Sequence, residues 1–128
     1  MENWMLWAAG AAFFYYFFLR SGVPAEGRLS PGELRDALGK EKDLQLIDVR
    51  SGAEFGGGHL AGARNIPVEQ IASRLGDLRK DQPLVVYCLS GRRSARALQE
   101  LRGAGFAQAK HMEGGLSAWQ GAGLPVQR

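Results

Sequence analysis

A chain of 128 residues has room for one domain of common size, with a core large enough to fold unaided. The formal charge of +3 is mild and no run of basic residues is interleaved with aromatics, which argues against a nucleic-acid binder. The single cysteine excludes an internal disulfide and suits a reducing compartment, and neither cysteines nor histidines show metal-ligand spacing, so no metal and no other cofactor is expected.

The first twenty residues differ from the rest. Trp4 to Leu19 carries no charge and is apolar on every side. Without a polar face it is not an amphipathic surface helix. As a helix the run spans roughly 24 Å, a little short of a ~30 Å hydrocarbon core. Neutral residues beyond it and snorkelling by Arg20 close that gap. Residues 1–20 are therefore expected to form an uncleaved transmembrane anchor through residues 4–19. A cleaved signal ending near Val23-Pro24-Ala25 is a second reading, opposed by the lack of Lys or Arg ahead of the apolar run. A buried or partner-facing hydrophobic helix is a third. Glu2 precedes the run while Arg20 and Arg28 follow it, which places the rest of the chain in the cytoplasm.

Residues 21–29, with Gly22, Pro24 and Gly27, read as a linker to a domain over residues 30–128. Ser30-Pro31-Gly32-Glu33 starts a helix, with Ser30 as N-cap, Pro31 at the first helical position and Glu33 closing a capping box. Leu44 to Val49 is a strand, Ala53 to Gly58 a short helical turn or loop, and Ala63 to Ile66 a second strand closed by Pro67. Val68, Ile71, Ala72 and Leu75 give residues 68–78 a helical pattern. Leu84 to Tyr87 is an apolar run of the kind a buried parallel strand shows. Ala95, Leu98 and Leu101 mark a helix over residues 95–102, stopped by Gly103 and Gly105. A weaker strand over residues 107–112 and a short helix over residues 116–120 complete the chain. Strands alternating with helices imply an α/β domain with a parallel sheet covered on both faces. Ligands bind such sheets beyond the carboxyl ends of the strands.

Cys88 lies at one of those ends and opens the segment Cys88-Leu89-Ser90-Gly91-Arg92-Arg93-Ser94. Loop amides and the positive end of the following helix converge there, and both favour the thiolate, the reactive form. Arg92, Arg93 and Arg96 are expected to add positive charge. The bland alternative for Cys88 is an inert buried thiol. Asp48-Val49-Arg50 ends another strand, which predicts that it meets Cys88 at one site. His59 and His111 stand alone and read as structural.

Several segments together resemble the rhodanese-like domain family. Leu46-Ile47-Asp48-Val49-Arg50, Glu54-Phe55, Gly58-His59-Leu60-Ala61-Gly62-Ala63 and Asn65-Ile66-Pro67 resemble its first signature in order and spacing. Val86-Tyr87-Cys88-Leu89-Ser90-Gly91-Arg92-Arg93-Ser94 resembles its catalytic loop, and Glu113-Gly114-Gly115-Leu116-Ser117-Ala118-Trp119 its closing signature. The resemblance spans about residues 30 to 128 and leaves the apolar N-terminus out. It implies a parallel five-stranded sheet flanked by helices and a sulfurtransferase that works through a Cys88 persulfide. The implied donor is a small sulfur anion, thiosulfate or a persulfide. The implied acceptor is a thiol or cyanide, and an anchored domain could serve a membrane protein partner.

Within that loop Gly91 permits the tight turn, Ser94 bonds the sulfur or caps the helix, and Arg93 seals the loop or contacts the donor. Arg92 is expected to be an exposed contributor of charge. Asp48 and Arg50 are expected to be supporting residues, Glu54 and His59 to tie the loop down, and Trp119 to pack in the core. Leu89 departs from many bacterial relatives, which carry a basic residue directly after the cysteine. That departure weakens the case for thiosulfate and leaves the persulfide chemistry intact. A non-catalytic docking module is one rival reading. The other is a phosphatase or arsenate reductase on the same fold, which needs six positions from cysteine to arginine, whereas Arg93 stands five after Cys88.

Overall fold

The fold is described over residues 27–128 of a computed structural model; the expected anchor and the first part of the linker lie outside the described residues. Helix α1 (Pro31–Lys40) starts as its sequence predicts. The Glu33 amide donates to Ser30 Oγ and the Ser30 amide donates back to the Glu33 carboxylate, each at 3.1 Å. Five strands follow the alternating pattern: β1 (Arg28–Leu29), β2 (Gln45–Asp48), β3 (Arg64–Asn65), β4 (Leu84–Tyr87) and β5 (Ala109–Met112). They form one sheet in the order β1-β5-β4-β2-β3, with every pairing parallel. Helices α2 (Gly52–Gly56), α3 (Arg92–Gly103) and α4 (Gly115–Gly121) complete the domain.

Strand alternation divides the apolar residues between two cores. Ile47, Val49, Val86 and Cys88 face one side, against Ile71, Leu98 and Leu101. Leu46, Val85 and Tyr87 face the other, against Leu34, Leu116 and Trp119. Burial on both faces explains why Leu84 to Tyr87 is a continuous apolar run. Each such side chain contributes about 1.5–3 kcal/mol when fully buried. The central place of β4 carries the chain after Tyr87 to the carboxyl edge of the sheet.

Three expectations need correction. Arg28 and Leu29 belong to the sheet rather than the linker, pairing with His111 and Met112. Residues 68–78 form two 3-10 turns, Val68–Gln70 and Leu75–Asp77, instead of an α-helix. Ser73 Oγ donates to the Gln70 carbonyl between them, and Gly76 sits inside the second turn, so both local signals oppose a continued helix. Helix α3 begins at Arg92, earlier than its apolar stripe shows, because its first turn is built from loop residues. Among the described residues no helix is long and apolar enough to cross a membrane.

Candidate active site

The loop from β4 to α3 wraps around Cys88 Sγ. Gly91 has φ +101°, a left-handed value that glycine adopts freely, and it turns the chain back over the sulfur. The Gly91 amide donates to Sγ at 3.1 Å and the Ser94 amide at 3.4 Å, while Ser94 Oγ lies 3.6 Å away. Amides can point inward because the loop carbonyls are satisfied outside. The Leu116 amide donates to the Cys88 carbonyl at 2.8 Å and the Ser117 amide to the Leu89 carbonyl at 3.0 Å. That approach requires glycine at position 115, where φ is +61° and a Cβ would lie 2.5 Å from both carbonyl oxygens.

Cys88 is 1% exposed. Burial alone pushes its thiol up. The Ser94 hydroxyl and the Ser94, Gly91 and Ser90 amides outweigh that effect, so the net displacement is downward, toward thiolate. The arginines divide. Arg93 donates to both oxygens of Glu54, at 2.7 and 3.0 Å, and so ties the start of α3 to α2. Arg92 is exposed on the outside of the loop. Arg96 is exposed one turn further along α3, with Glu100 3.9 Å from its guanidinium, and no hydrogen bond or ion pair joins it to the cradle among the described residues.

Asp48 and Arg50 do sit beside the loop. Asp48 pairs in register with Tyr87, and the Val49 amide donates to the Tyr87 carbonyl at 2.9 Å. Arg50 Nε contacts both Asp48 oxygens at 3.0 Å and its Nη2 reaches Asp48 Oδ2 at 2.7 Å and the Gly58 carbonyl at 2.6 Å. The pair is buried and joined by several hydrogen bonds next to the loop. Asn65, not singled out by its sequence, clamps the same corner by donating to the Asp48 and Arg50 carbonyls. His59 Nδ1 meets the Phe55 carbonyl at 2.9 Å and its ring stacks on Phe55, a structural role. Trp119 is in the core, its Nε1 donating to the Pro125 carbonyl.

Two participants besides Asn65 escape sequence reasoning. Gly115 carries the close approach above, and its motif signal was present. His111 does not stand alone: its Nδ1 lies 2.9 Å from Ser94 Oγ, which places an imidazole one step from the sulfur. Leu89 is the exposed exception, at 43%, the one exposed large hydrophobic side chain among the described residues.

A parallel α/β sheet that ends its central strand in an amide-cradled cysteine is a small domain built around one buried sulfur. Residues 30–122 match the Rhodanese-like domain, and the chain belongs to that family. It is 47% identical over 80 residues to the uncharacterized protein YqhL of Bacillus subtilis, a match covering 62% of this chain and 64% of that protein, just under two thirds of its length. It is 41% identical over 81 residues to thiosulfate sulfurtransferase GlpE of Shewanella oneidensis, covering 63% of this chain and 80% of that one. The crystal structure of a rhodanese-related protein from Thermoplasma volcanium superposes with a TM-score of 0.71 at 29% identity, over 78% of this chain and 96% of the other.

Proposed function

We propose that the domain is a sulfurtransferase that carries sulfane sulfur on Cys88. The observation that carries this reading is the convergence of the Gly91 and Ser94 amides on a buried Sγ. The Cys88 thiolate attacks the outer sulfur of the donor. A new S–S bond forms, and the donor's remainder leaves with the electron pair of the broken bond, as sulfite from thiosulfate or a thiolate from a persulfide. An acceptor thiolate or cyanide then attacks the outer sulfur, and the electron pair returns to Cys88. The cradle lowers the cost of the anion before and after each transfer. The name of the Shewanella relative supports the same chemistry here.

The surroundings favour a persulfide over thiosulfate as donor. Arg93 is neutralised by Glu54, and apolar Leu89 stands exposed on the loop. With Arg93 paired, the loop offers a doubly charged donor chiefly the exposed Arg92. The same pairing argues against a phosphatase, which needs its loop arginine free for the oxyanion. Transfer from thiosulfate to cyanide, read as thiocyanate, tests both points. Cys88→Ser abolishes it while the domain stays folded, and Leu89→Arg lowers the KM for thiosulfate about fivefold, the scale of one added partly screened charge. Activity retained in Cys88→Ser would overturn the persulfide mechanism, and an unchanged KM in Leu89→Arg would remove the electrostatic argument about the donor. We further propose that residues 4–19 hold the domain at the cytoplasmic face of a membrane, a reading supported by their uniformly apolar sequence and by Arg20 and Arg28 after them.

A further inference from the structure

Ser94 has one hydroxyl proton and three neighbours able to accept it. Its Oγ lies 2.9 Å from His111 Nδ1, 3.2 Å from the Gly91 carbonyl oxygen and 3.6 Å from Cys88 Sγ. Cys88, Ser94 and His111 are 1%, 0% and 5% exposed, so solvent does little to make good a missing donor at their contact. Counting protons then fixes which states go together. When Cys88 is a thiol, its S–H donates to Ser94 Oγ and the Ser94 hydroxyl donates to a bare Nδ1. When Cys88 is a thiolate, the sulfur draws on the Ser94 proton, and Ser94 Oγ accepts in turn from an Nδ1–H.

We infer that Ser94 and His111 form a relay that takes the proton from Cys88 out of the buried cradle and turns the Ser94 hydroxyl into a donor to the sulfur anion. The step balances. The Cys88 S–H bond breaks and its proton goes to Ser94 Oγ, while the Ser94 proton passes to His111 Nδ1. The imidazole then gives up its Nε2 proton to water. His111 lines an open hollow of about 270 Å³ together with Arg28, Ser90, Arg92 and Glu113, and the relay requires its Nε2 to meet water there. The ring is neutral before and after, and only its tautomer changes. In this arrangement His111 is a positioning residue that acts through Ser94.

The charges around both ends suit a neutral ring. Arg28 faces His111 from β1, Glu113 from the turn after β5 and Arg92 from the start of α3. Burial lowers the imidazole below its ordinary range, Glu113 opposes that and Arg28 reinforces it. On the sulfur side the charged neighbour is Arg93, already paired with Glu54.

The inference rests on Cys88 as the nucleophile, so its test avoids sulfur transfer altogether. The rate of iodoacetamide alkylation of Cys88 in the full chain is followed against pH. His111→Phe raises the midpoint by about one pH unit, the scale of one hydrogen bond to an anion. The shift disappears in a Ser94→Ala background, and His111→Asn, whose amide N–H stands near the Nδ1–H position, restores most of it. A folded His111→Phe variant with an unchanged midpoint, or with an equal shift in the Ser94→Ala background, overturns the relay. Should His111→Phe fail to fold, the wild-type chain still decides. Nitrogen NMR shifts of His111 pass from the Nε2–H to the Nδ1–H tautomer across the Cys88 midpoint, and a tautomer that stays fixed overturns it. Normal alkylation behaviour without any persulfide would count against the proposed transfer activity and leave the relay standing.

Discussion

At the scale of single residues, most charges beside the loop are paired, Arg93 with Glu54 and Arg50 with Asp48, while Arg92 stays exposed. Glu54 shows the consequence. Its hydrogen bond with Arg93 holds its carboxyl well below the ordinary range, to about 2, with burial opposing and the Ser51 donors assisting. A carboxyl lowered from 4.5 binds its proton more readily in the unfolded chain. Its contribution to stability is therefore complete above that value and is lost as pH falls toward 2. Glu54→Gln removes that contribution, so its melting temperature falls less steeply than the wild type's across this window in acid-titrated thermal denaturation. Equal slopes would mean that the Arg93 pairing does not reach the folding equilibrium. The residue scale is also where the sequence is least legible. Cys88 and its loop are contiguous and carry a motif. His111 and Ser94 stand 17 apart and meet only because β5 lies beside β4 and the start of α3. No local pattern marks that meeting.

At the scale of elements, the loop depends on what lies behind it. The amino end of α4 takes up the Cys88 and Leu89 carbonyls, and only a residue without a side chain permits it. Gly115→Ala combines strain at positive φ with direct overlap on the loop, and should cost about 2 kcal/mol or more and open the cradle. Gly32→Ala, in α1 with nothing within 4 Å of the added methyl, is the control and should be neutral or slightly stabilising. Chemical denaturation of the two variants checks this, and similar losses in both would contradict the support role. The elements differ in how plainly the sequence announces them. The Ser30 capping box and the apolar run of β4 are local signals with one reading each. Ser51 and Glu54 form a second capping box that starts α2, and the same rule identifies it. Residues 68–78 misled because apolar positions three apart serve a 3-10 turn as well as an α-helix. Arg28 and Leu29 form too short a strand to show periodicity, and their pairing partners lie at the far end of the chain.

At the scale of the whole molecule, the strand order assembles the candidate site. Placing β4 between β2 and β5 brings the Asp48–Arg50 support to one side of the cysteine and the His111 relay to the other. An anchor over residues 4–19 would concentrate this site near membrane-bound sulfur donors or acceptors. With the domain in the cytoplasm, a membrane-impermeant thiol reagent modifies Cys88 only after cells are permeabilised. Modification in intact cells would place the domain on the other side.

The central claim is that Cys88 carries the transferred sulfur. Intact-mass spectrometry of the purified protein, before and after exposure to thiosulfate or a persulfide donor, measures it most directly. The expected result is a gain of one sulfur, about 32 Da, that cyanide removes and that Cys88→Ser never shows. No gain with any donor, or the same gain in Cys88→Ser, would contradict it.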